Sequence, residues 1–461
     1  MTAVHVQFVT PLPPLPTGIA QYSRDLLRAL DDRWPLDVVP EAGSDPTILR
    51  SFRAGVPTVF QIGNSGFHRL AYKHALREPG VLVLHDVSLH HGRAGELLRS
   101  GGSGYLKIMR ERYGDDGARA VRDILAGRQV DDIGAFPLSE DYIERAKVTV
   151  VHSQYARRLV QRFVPEADVV VVPMGVPLPA LVEQAAARRA LGLPASAFVV
   201  ASITHVNPYK RIPVVLRAMR RLIVHEPDAI LVIAGSVAPG IDLKRQIALL
   251  NLDRNVRMLG YVSDDQARLV ARAADVCINL RYPSAGETSA SLLRLLGAGR
   301  PVLVTDDEPM AEFPRDAVLP VPVDRFEDEM VSELLLLLAR DETLREEAGA
   351  AARAFIAGEH SLAVMVDGYR AAIHRAFGIE MPSIALMTVD EEAPNLDVSE
   401  TVPTTVSWLE TRVVDGIAGL RLAGHDATIV VAARAMTQLG LNRLPAQQNG
   451  RTDDEPVAPD S

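Results

Sequence analysis

Residues 278–307 predict a strand, a loop, a helix and a second strand in close succession, in the sequence INLRYPSAGETSASLLRLLGAGRPVLVTDD. Thr288 or Ser289 can cap the helix, and leucines at helical spacing would form its buried face: Leu292, Leu293, Leu295 and Leu296. Gly299 suits the left-handed residue that commonly ends a helix. Glu287 lies in the loop where the first strand ends, and open parallel sheets bind their ligands at that edge.

The carboxylate of Glu287 can be interpreted in two ways. The free backbone N–H groups at the start of the following helix would face a bound ligand, and Glu287 would then belong to its site. Alternatively, Glu287 only lies near the positive end of the helix dipole, where a negative charge is favourable. The loop by itself is compatible with both interpretations.

The same alternation of strand and helix continues along most of the chain. Apolar runs predict strands over residues 4–9, 36–39, 58–62, 81–84, 147–152, 169–172, 198–203, 229–234, 256–259, 276–280 and 302–304. Apolar residues near helical spacing predict helices over residues 19–30, 155–163, 212–224, 241–250, 264–273, 327–338, 341–356 and 362–377. Such alternation indicates an α/β fold with doubly wound, Rossmann-like parallel sheets.

Length and composition predict a two-domain globular protein. A chain of 461 residues is too long for a single hydrophobic core. Its formal net charge of −9 argues against general nucleic-acid binding. The single cysteine, Cys277, excludes an intrachain disulfide and is expected to be a small buried hydrophobe in a reducing compartment. We see no signal-peptide pattern and no apolar run that could span a bilayer, so we expect a cytoplasmic protein.

The domain boundaries follow from where the alternation stops and restarts. We expect a first domain over residues 1–180 and a second over residues 190–360, joined by a proline-punctuated connection. The pattern changes over residues 101–136, where residues 104–128 predict a helix of mixed charge. It could be a lid, an acceptor-facing surface or a membrane-surface helix but is better interpreted as an ordinary packed helix. Residues 379–461 predict an extension with a truncated strand–helix–strand unit and a disordered end.

Polar residues or glycine follow several predicted strands of the first domain. Gly18 comes after the first strand, Asn64 and His68 after the third, and His85 and Asp86 after the fourth. Because the carboxyl ends of parallel strands share one edge, we expect these residues to lie near a ligand. The histidine spacing does not match a zinc pattern, so we predict hydrogen bonds to sugars or phosphates and no metal site.

A basic loop stands between the first strand and the first helix of the second domain. Lys210 and Arg211 lie at the start of the helix, where the dipole disfavours cations. A bound diphosphate would remove the conflict, because the helix N-terminus and both cations would attract the same anion. Two solvated surface cations are the alternative interpretation.

Five stretches resemble, in order, the motifs of glycosyltransferase family 4, whose members have the GT-B fold: PLPPLPTGIAQYSRDLLRAL, VLVLHDVSLHH, VVVVPMGVP, the loop of Lys210 and Arg211, and PSAGETSASLLRLLGAGRPVLVTD. They span about residues 1–378. Arg294 stands where the family has the second glutamate of its signature, and His205 where it usually has an arginine. The chain therefore resembles a divergent subfamily with a GETS loop.

The resemblance implies a role for each matching residue. Lys210 and Arg211 would hold the donor diphosphate and stabilise it as a leaving group, Glu287 would bind hydroxyls of the donor sugar, and His85 would line the acceptor side of the cleft. Further donor contacts would come from Gly18, His205, Asn207, Gly235, Gly286, Thr288, Ser289 and Ala290. Asn64, His68 and Asp86 would face the acceptor. The helix within residues 361–378 would cross back to the first domain.

The implied activity is the retaining transfer of a hexosyl group from a nucleotide-diphosphate sugar to a glycan, glycolipid or small molecule, without a metal or other cofactor. The resemblance favours cell-envelope polysaccharide synthesis in the cytoplasm, with a possible peripheral contact to the membrane. A non-catalytic GT-B protein that binds a nucleotide sugar is one alternative. A GT-B sugar-nucleotide epimerase is the other.

Overall fold

A computed structural model of the chain describes residues 5–31, 36–45, 51–99, 102–128, 130, 133–284 and 286–380. The strand, helix and disordered end predicted for the extension lie beyond residue 380 and so fall outside the described residues. None of the helices in the described part of the chain is long and apolar enough to cross a bilayer.

The first sheet is built from six strands: β1 (Val6–Thr10), β2 (Leu36–Pro40), β3 (Thr58–Ile62), β4 (Val81–Leu84), β5 (Val148–Val151) and β6 (Val169–Val171). All pairs are parallel, in the order β2-β1-β3-β4-β5-β6. The helices of this domain are α1 (Gly18–Asp31), α2 (Arg69–Ala75), α3 (His90–Arg99), α4 (Ser103–Leu125), α5 (Glu140–Arg145) and α6 (Gln154–Phe163).

The second sheet also has six parallel strands: β7 (Val199–Ile203), β8 (Ile230–Ala234), β9 (Val256–Gly260), β10 (Val276–Asn279), β11 (Val302–Thr305) and β12 (Leu319–Val321). Their order is β12-β11-β10-β7-β8-β9. Its helices are α7 (Gln184–Ala190), α8 (Ile212–Leu222), α9 (Leu243–Leu249), α10 (Asp264–Ala273), α11 (Ala290–Gly297), α12 (Glu327–Arg340) and α13 (Glu342–Glu359). Helix α14 (Leu362–Phe377) follows.

The strand orders create one switch point in each sheet. In the second sheet β7 lies between β8 and β10, so the chain leaves β7 in one direction and later returns on its other side. At such a point the loops after the two central strands separate and leave a crevice at the carboxyl edge. Lys210 follows β7 and Glu287 follows β10, so the topology brings these two residues to one crevice.

The structure confirms the predicted fold class of two parallel-sheet α/β domains. Strands such as β1, β3 and β8 are buried along their whole length, because helices cover both faces of each sheet. The predicted bounds match for β3, β4, α10 and α14. The sequence patterns do not predict five elements, α2, α3, α5, α7 and β12. All of these but α3 are too short to carry a clear periodic pattern.

Helix α4 corresponds closely to the helix predicted over residues 104–128. It ends at Leu125 and bends at Gly114, whose φ of +61° is in the left-handed region. Tyr105, Met109 and Val121 are buried in a satellite core beside the first sheet. The interpretation as an ordinary packed helix therefore agrees with the structure.

Helix α14 packs against α1 and against strands of the first sheet. The Tyr22 hydroxyl donates a hydrogen bond to the Tyr369 hydroxyl at 2.8 Å, and the side-chain amide of Gln61 donates to the same oxygen at 3.3 Å. All three side chains are buried. This polar contact fixes the last described helix to the first domain.

Ion pairs connect the two domains through α1. The Arg294 guanidinium lies 3.5 Å from the Asp25 carboxylate, and the Arg24 guanidinium lies 3.4 Å from Asp264. Arg294, the residue at the position of the second signature glutamate, therefore contacts the first domain. Its charge is balanced by an acid of α1.

A second bridge between the domains caps α6. The Glu312 carboxylate accepts a hydrogen bond from the backbone N–H of Gln154 at 2.8 Å and another from that of Tyr155. These are among the first N–H groups of α6, which have no partner within the helix. Ser153 caps the same end from within the first domain. A carboxylate of one domain thus completes the helix cap of the other.

The stretch predicted as an interdomain connection is anchored to the second domain. Helix α7 within it places Arg188 against Asp275, with their side-chain atoms 2.6 Å apart and both residues buried. Asp275 also accepts a hydrogen bond from the backbone N–H of Val199 at 2.7 Å. The pair therefore links α7 to the first strand of the second sheet.

Removal of one member of this pair is expected to destabilise the second domain strongly. In Asp275→Ala the buried guanidinium of Arg188 loses its counter-ion, which costs about 3 kcal/mol. That loss corresponds to a fall of roughly 6–12 °C in the thermal midpoint of a domain of this size. The matched control is Asp265→Ala, whose partner Arg268 is half exposed, and it should cost at most about 0.5 kcal/mol. Equal midpoints for the two variants would contradict the assigned role.

Candidate functional site

Three charged side chains come together at the switch point of the second sheet. Lys210 ends a short turn of 3-10 helix, Pro208–Lys210, between β7 and α8. Glu287 lies before α11, and Arg281 lies just past the end of β10. Arg281 and Glu287 both act electrostatically on Lys210. The topology has therefore assembled two cations and a carboxylate from loops of neighbouring strands.

Arg281 is buried and binds the carboxylate of Glu287. Its Nη1 lies 3.0 Å from Oε1 of Glu287, and its Nη2 donates a hydrogen bond to the hydroxyl of Ser289. The backbone N–H of Arg281 donates to the Thr305 hydroxyl at 2.9 Å. The Ser284 hydroxyl donates to the other carboxylate oxygen of Glu287 at 3.3 Å. Glu287 is thus held from two sides.

The sequence-based expectations for α11 are confirmed. Ser289, not Thr288, caps the helix, because its hydroxyl accepts a hydrogen bond from the backbone N–H of Leu292 at 3.2 Å. Ala290 is the first residue of the helix. Gly299 has a φ of +68°, as expected after a helix. The four leucines at positions 292, 293, 295 and 296 are buried. Cys277 is buried as well, and burial raises the pKa of its thiol to about 12.

Lys210 has an unusual proton affinity for a lysine. Burial and, to a smaller extent, the nearby Arg281 lower its pKa to about 7, while Glu287 acts in the opposite direction. The Nζ atom lies 4.8 Å from the centre of the Tyr209 ring. A lysine in this state gains a full charge when an anion arrives beside it.

Arg211 is paired with an acid of the second domain. Its guanidinium binds the buried carboxylate of Glu327 on α12, and its backbone is left-handed, with a φ of 56°. Glu327 thus balances the charge of Arg211, and the expected contact of Arg211 with the donor diphosphate stays a prediction. The second cation beside Lys210 is Arg281.

The other donor-side residues of the β7 loop lie around this cluster. His205 Nδ1 is 2.7 Å from the Ser236 hydroxyl. Asn207 has a buried Oδ1 atom for which the described residues offer no hydrogen-bond partner. A Cβ at Gly235 would stand 1.8 Å from the Thr204 carbonyl oxygen, so the two loops approach too closely for any other residue.

Two glycines mark where the first domain meets the donor side. Gly286, with a φ of +86°, packs against Val87 and Leu159 of the first domain. Gly18 begins α1, and a Cβ there would meet open space. The predicted contact of Gly18 with a donor phosphate stays a prediction.

Asp86 faces Glu287 from the first domain. Burial raises the pKa of Asp86 to about 6, and the charge of Glu287 raises it as well. The backbone N–H of Asn64 donates a hydrogen bond to Oδ2 of Asp86 at 2.7 Å. The side-chain oxygen of Asn64 accepts from the backbone N–H of Gly92 at 2.9 Å, so its role in the described contacts is to shape the loop. Two carboxyl groups from different domains thus share the cleft.

His68 is fully buried near Asp86. Its Nδ1 lies 3.1 Å from the backbone oxygen of Gln61, and burial lowers its pKa to about 4. A Cβ at Gly63 would lie 3.0 Å from Nε2 of His68 and 3.1 Å from Oδ2 of Asp86. That Nε2 has no partner within the described ranges. Gly63 thus separates the two side chains.

His85 is buried inside the first domain. It is 5% exposed, its Nε2 lies 2.6 Å from Oε1 of Gln61, and its Nδ1 lies 3.2 Å from Nε2 of His152. Burial and the charge of His152 hold the pKa of His85 well below its usual value. The side chain takes part in a polar core under the strand ends, and its predicted place on the acceptor side stays a prediction.

Sequence reasoning missed Arg281. It follows a strand and stands between Leu280 and Tyr282, so it resembles an ordinary strand end. The available signal is a single charge that interrupts an apolar run six positions before Glu287. Asp307 was also missed: burial raises its pKa to about 6, Arg281 lowers it, and Glu287 raises it.

Comparisons with known proteins agree with this architecture. Residues 183–355 match the family model described as Glycosyl transferases group 1. The D-inositol 3-phosphate glycosyltransferase of Salinispora arenicola (strain CNS-205) is 30% identical over 180 residues, which are 37% of this chain and 40% of that protein. The match therefore spans less than half the length of this relative.

Solved structures share the fold at low sequence identity. Sucrose-phosphate synthase from Thermosynechococcus elongatus has a TM-score of 0.60 at 15% identity, over 81% of this chain and 99% of that one. Anabaena HepE in complex with UDP and glucose has a TM-score of 0.55 at 14% identity, over 80% and 99%. The chain thus has the GT-B fold, and its residues 183–355 are similar to the Glycosyl transferases group 1 family.

Proposed function

We propose that this chain is a retaining glycosyltransferase of family 4, from a divergent subfamily with a GETS loop. It transfers a hexosyl group from a nucleotide-diphosphate sugar to a glycan, a glycolipid or a small molecule. The observation that carries the proposal is the convergence of Lys210 with the Arg281–Glu287 pair at the switch point of a group 1 domain.

The related proteins support the choice of substrates. The relative from Salinispora is named for transfer to a small phosphorylated alcohol, and HepE is described with UDP and glucose bound. A nucleotide-diphosphate sugar as donor fits the same cluster of cations. The resemblance of the motifs favours cell-envelope polysaccharide synthesis on the cytoplasmic side of the membrane as the setting.

Lys210 is proposed to bind the diphosphate of the donor. The arriving anion favours the ammonium form of a lysine whose pKa is about 7 in the empty site. The positive ends of the helix dipoles of α8 and α11 add positive potential at the same edge. Because these groups are fixed before reaction, they stabilise the negative charge that develops on the departing diphosphate.

Glu287 is proposed to orient the donor sugar. Its carboxylate is held by Arg281 and Ser284, which leaves little freedom to rotate. An ionised carboxylate accepts strong hydrogen bonds from sugar hydroxyls and so fixes the ring relative to the diphosphate. Asp86 and His68 would meet the acceptor from the first domain, across the cleft.

The proposed transfer balances without a metal or other cofactor. The bond between the anomeric carbon and the diphosphate oxygen breaks, and its electron pair leaves with the diphosphate. The acceptor oxygen bonds to the same carbon on the same face, which retains the configuration. The acceptor proton moves to a diphosphate oxygen, while Lys210 supplies the positive charge.

The first prediction concerns the donor nucleotide. UDP, GDP or ADP is expected to raise the thermal midpoint, because a ligand at about 100 times its Kd adds about 2.7 kcal/mol to the folded state. Lys210→Ala should abolish the shift. The matched control is Arg220→Ala, which removes an exposed cation at the other end of α8 and should keep the shift. An equal shift in wild type and Lys210→Ala would refute the assigned diphosphate site.

The second prediction concerns pH. The bound diphosphate prefers the protonated Lys210, so the complex holds more protons than the empty protein above pH 7 and affinity falls as pH rises. Between about pH 7.5 and about pH 9 the affinity for the nucleotide is expected to fall at least about tenfold. Isothermal titration calorimetry at each pH measures this. A flat profile would mean that Lys210 is fully charged before the nucleotide binds.

The third prediction separates the sugar from the nucleotide. Glu287→Gln keeps the size of the side chain but removes the charge, so transfer should fall at least about 100-fold while the nucleotide still binds near pH 6.5. Glu346→Gln, an exposed change on α13, is the control. Product formation from the nucleotide sugar that stabilises the protein measures transfer. Nucleotide binding without transfer in the wild type would instead favour the non-catalytic alternative.

A further inference from the structure

Arg281 is the most deeply buried charge of the candidate site. Only 6% of the residue is exposed, and a guanidinium placed there costs free energy unless it is paired. Its guanidinium lies 3.0 Å from the carboxylate of Glu287 and donates a hydrogen bond to the hydroxyl of Ser289, the residue that caps α11. The Asn279 side-chain oxygen is 3.4 Å from the same Nη2 atom. Arg281 thus ties the end of β10 to the Glu287 loop and the start of α11.

Arg281 and Ser284 both contact the carboxylate of Glu287. The Ser284 hydroxyl lies 3.3 Å from the carboxylate of Glu287, which is near the limit of a hydrogen bond. Gly286, next to Glu287, has a left-handed backbone that a glycine adopts at no steric cost. The rigid, planar guanidinium of Arg281 is thus one of the contacts that set the direction of the Glu287 carboxylate.

Arg281 also lies close enough to act on Lys210. It lowers the pKa of Lys210, while Glu287 raises it. Arg211 follows Lys210 in the chain but is occupied by Glu327, so Arg281 is the cation that shares the pocket. The same arginine is therefore connected to both groups that the proposed function assigns to the donor.

We propose that Arg281 is a positioning residue of the donor site, which holds Glu287 in one direction and sets a second positive charge beside Lys210. This inference rests on the proposed function of the site. Arg281 then makes two separable contributions. The planar geometry of its guanidinium holds Glu287, which orients the sugar, and its positive charge affects the pH at which Lys210 becomes protonated.

The other ionisable groups around the cluster change charge outside the pH range in which Lys210 titrates. Asp86 and Asp307, which also face Glu287 and Arg281, have pKa values of about 6, and buried His68 has a pKa of about 4. The pKa of Tyr155 is raised by burial and by nearby acids, including Glu287. Between about pH 7.5 and about pH 9, Lys210 is therefore the group that changes charge.

The experiment compares Arg281→Gln and Arg281→Lys with the wild type, with UDP as probe, or GDP or ADP if one of these stabilises the wild type. Arg281→Gln removes the charge, so the fall of affinity should move to higher pH by about one unit. The ratio of the affinities at about pH 7.5 and about pH 9 should then shrink about threefold. Arg281→Lys keeps the charge but not the planar guanidinium. It should keep the wild-type pH profile and still lose at least about tenfold in kcat.

Two further variants keep the test decisive. Glu287→Gln should move the pH profile in the opposite direction, downward, because Glu287 favours the charged lysine. The double variant Arg281→Gln/Glu287→Gln removes both partners of the pair, so it should fold even where Arg281→Gln leaves an acid unpaired. Its profile should lie between those of the two single variants.

Each outcome has one meaning. A wild-type pH profile in Arg281→Gln, with wild-type kcat in Arg281→Lys, would overturn the role of Arg281 and leave the proposed function intact. Failure of the wild type to bind any of the three nucleotides would overturn the proposed function itself. A shifted profile in Arg281→Gln together with a loss of kcat alone in Arg281→Lys is the result we expect.

Discussion

Parallel strands bring all their carboxyl ends to one edge of a sheet, and the site of this protein depends on that constraint. Strands β7 and β10 are neighbours at the switch point of the second sheet although about 75 residues separate them in the chain. The loops that follow them therefore meet. Lys210 arrives from one loop and Arg281 with Glu287 from the other, so the electrostatics of the site follow from the strand order.

The first domain completes this edge. Asp86 lies close enough to Glu287 for the two carboxyl groups to interact electrostatically. Gly286 packs on the side chains of Val87 and Leu159. Polar bridges support the approach: Asp25 binds Arg294, and Glu312 caps α6. Closure of the two domains over a bound donor would exclude water from the cleft and strengthen the interactions of the charges inside it. The proposed transfer would need such an environment to prevent hydrolysis of the donor.

Local sequence patterns predicted much of this architecture. The apolar runs of β3 and β4 and the spacing of α10 and α14 fixed those elements to the residue, because a buried strand or an amphipathic helix needs these patterns. The position of Glu287 after a strand also indicated the candidate site. By contrast, α5 and α7 have six and seven residues, and such short elements are stabilised by partners distant in sequence, such as Asp275 for Arg188.

The partners of the charged residues were decided by tertiary structure. Lys210 and Arg211 are adjacent and look equivalent in the sequence, but Glu327 from α12 binds one of them and burial beside Arg281 changes the other. His85 follows a strand as Asp86 does, yet it turns into a buried network with Gln61 and His152. The sequence by itself determined the fold class and the edge at which the charges lie, because both follow from local periodicity and strand alternation. Which charges face each other depends on contacts between residues far apart in the chain, and only packing specifies those.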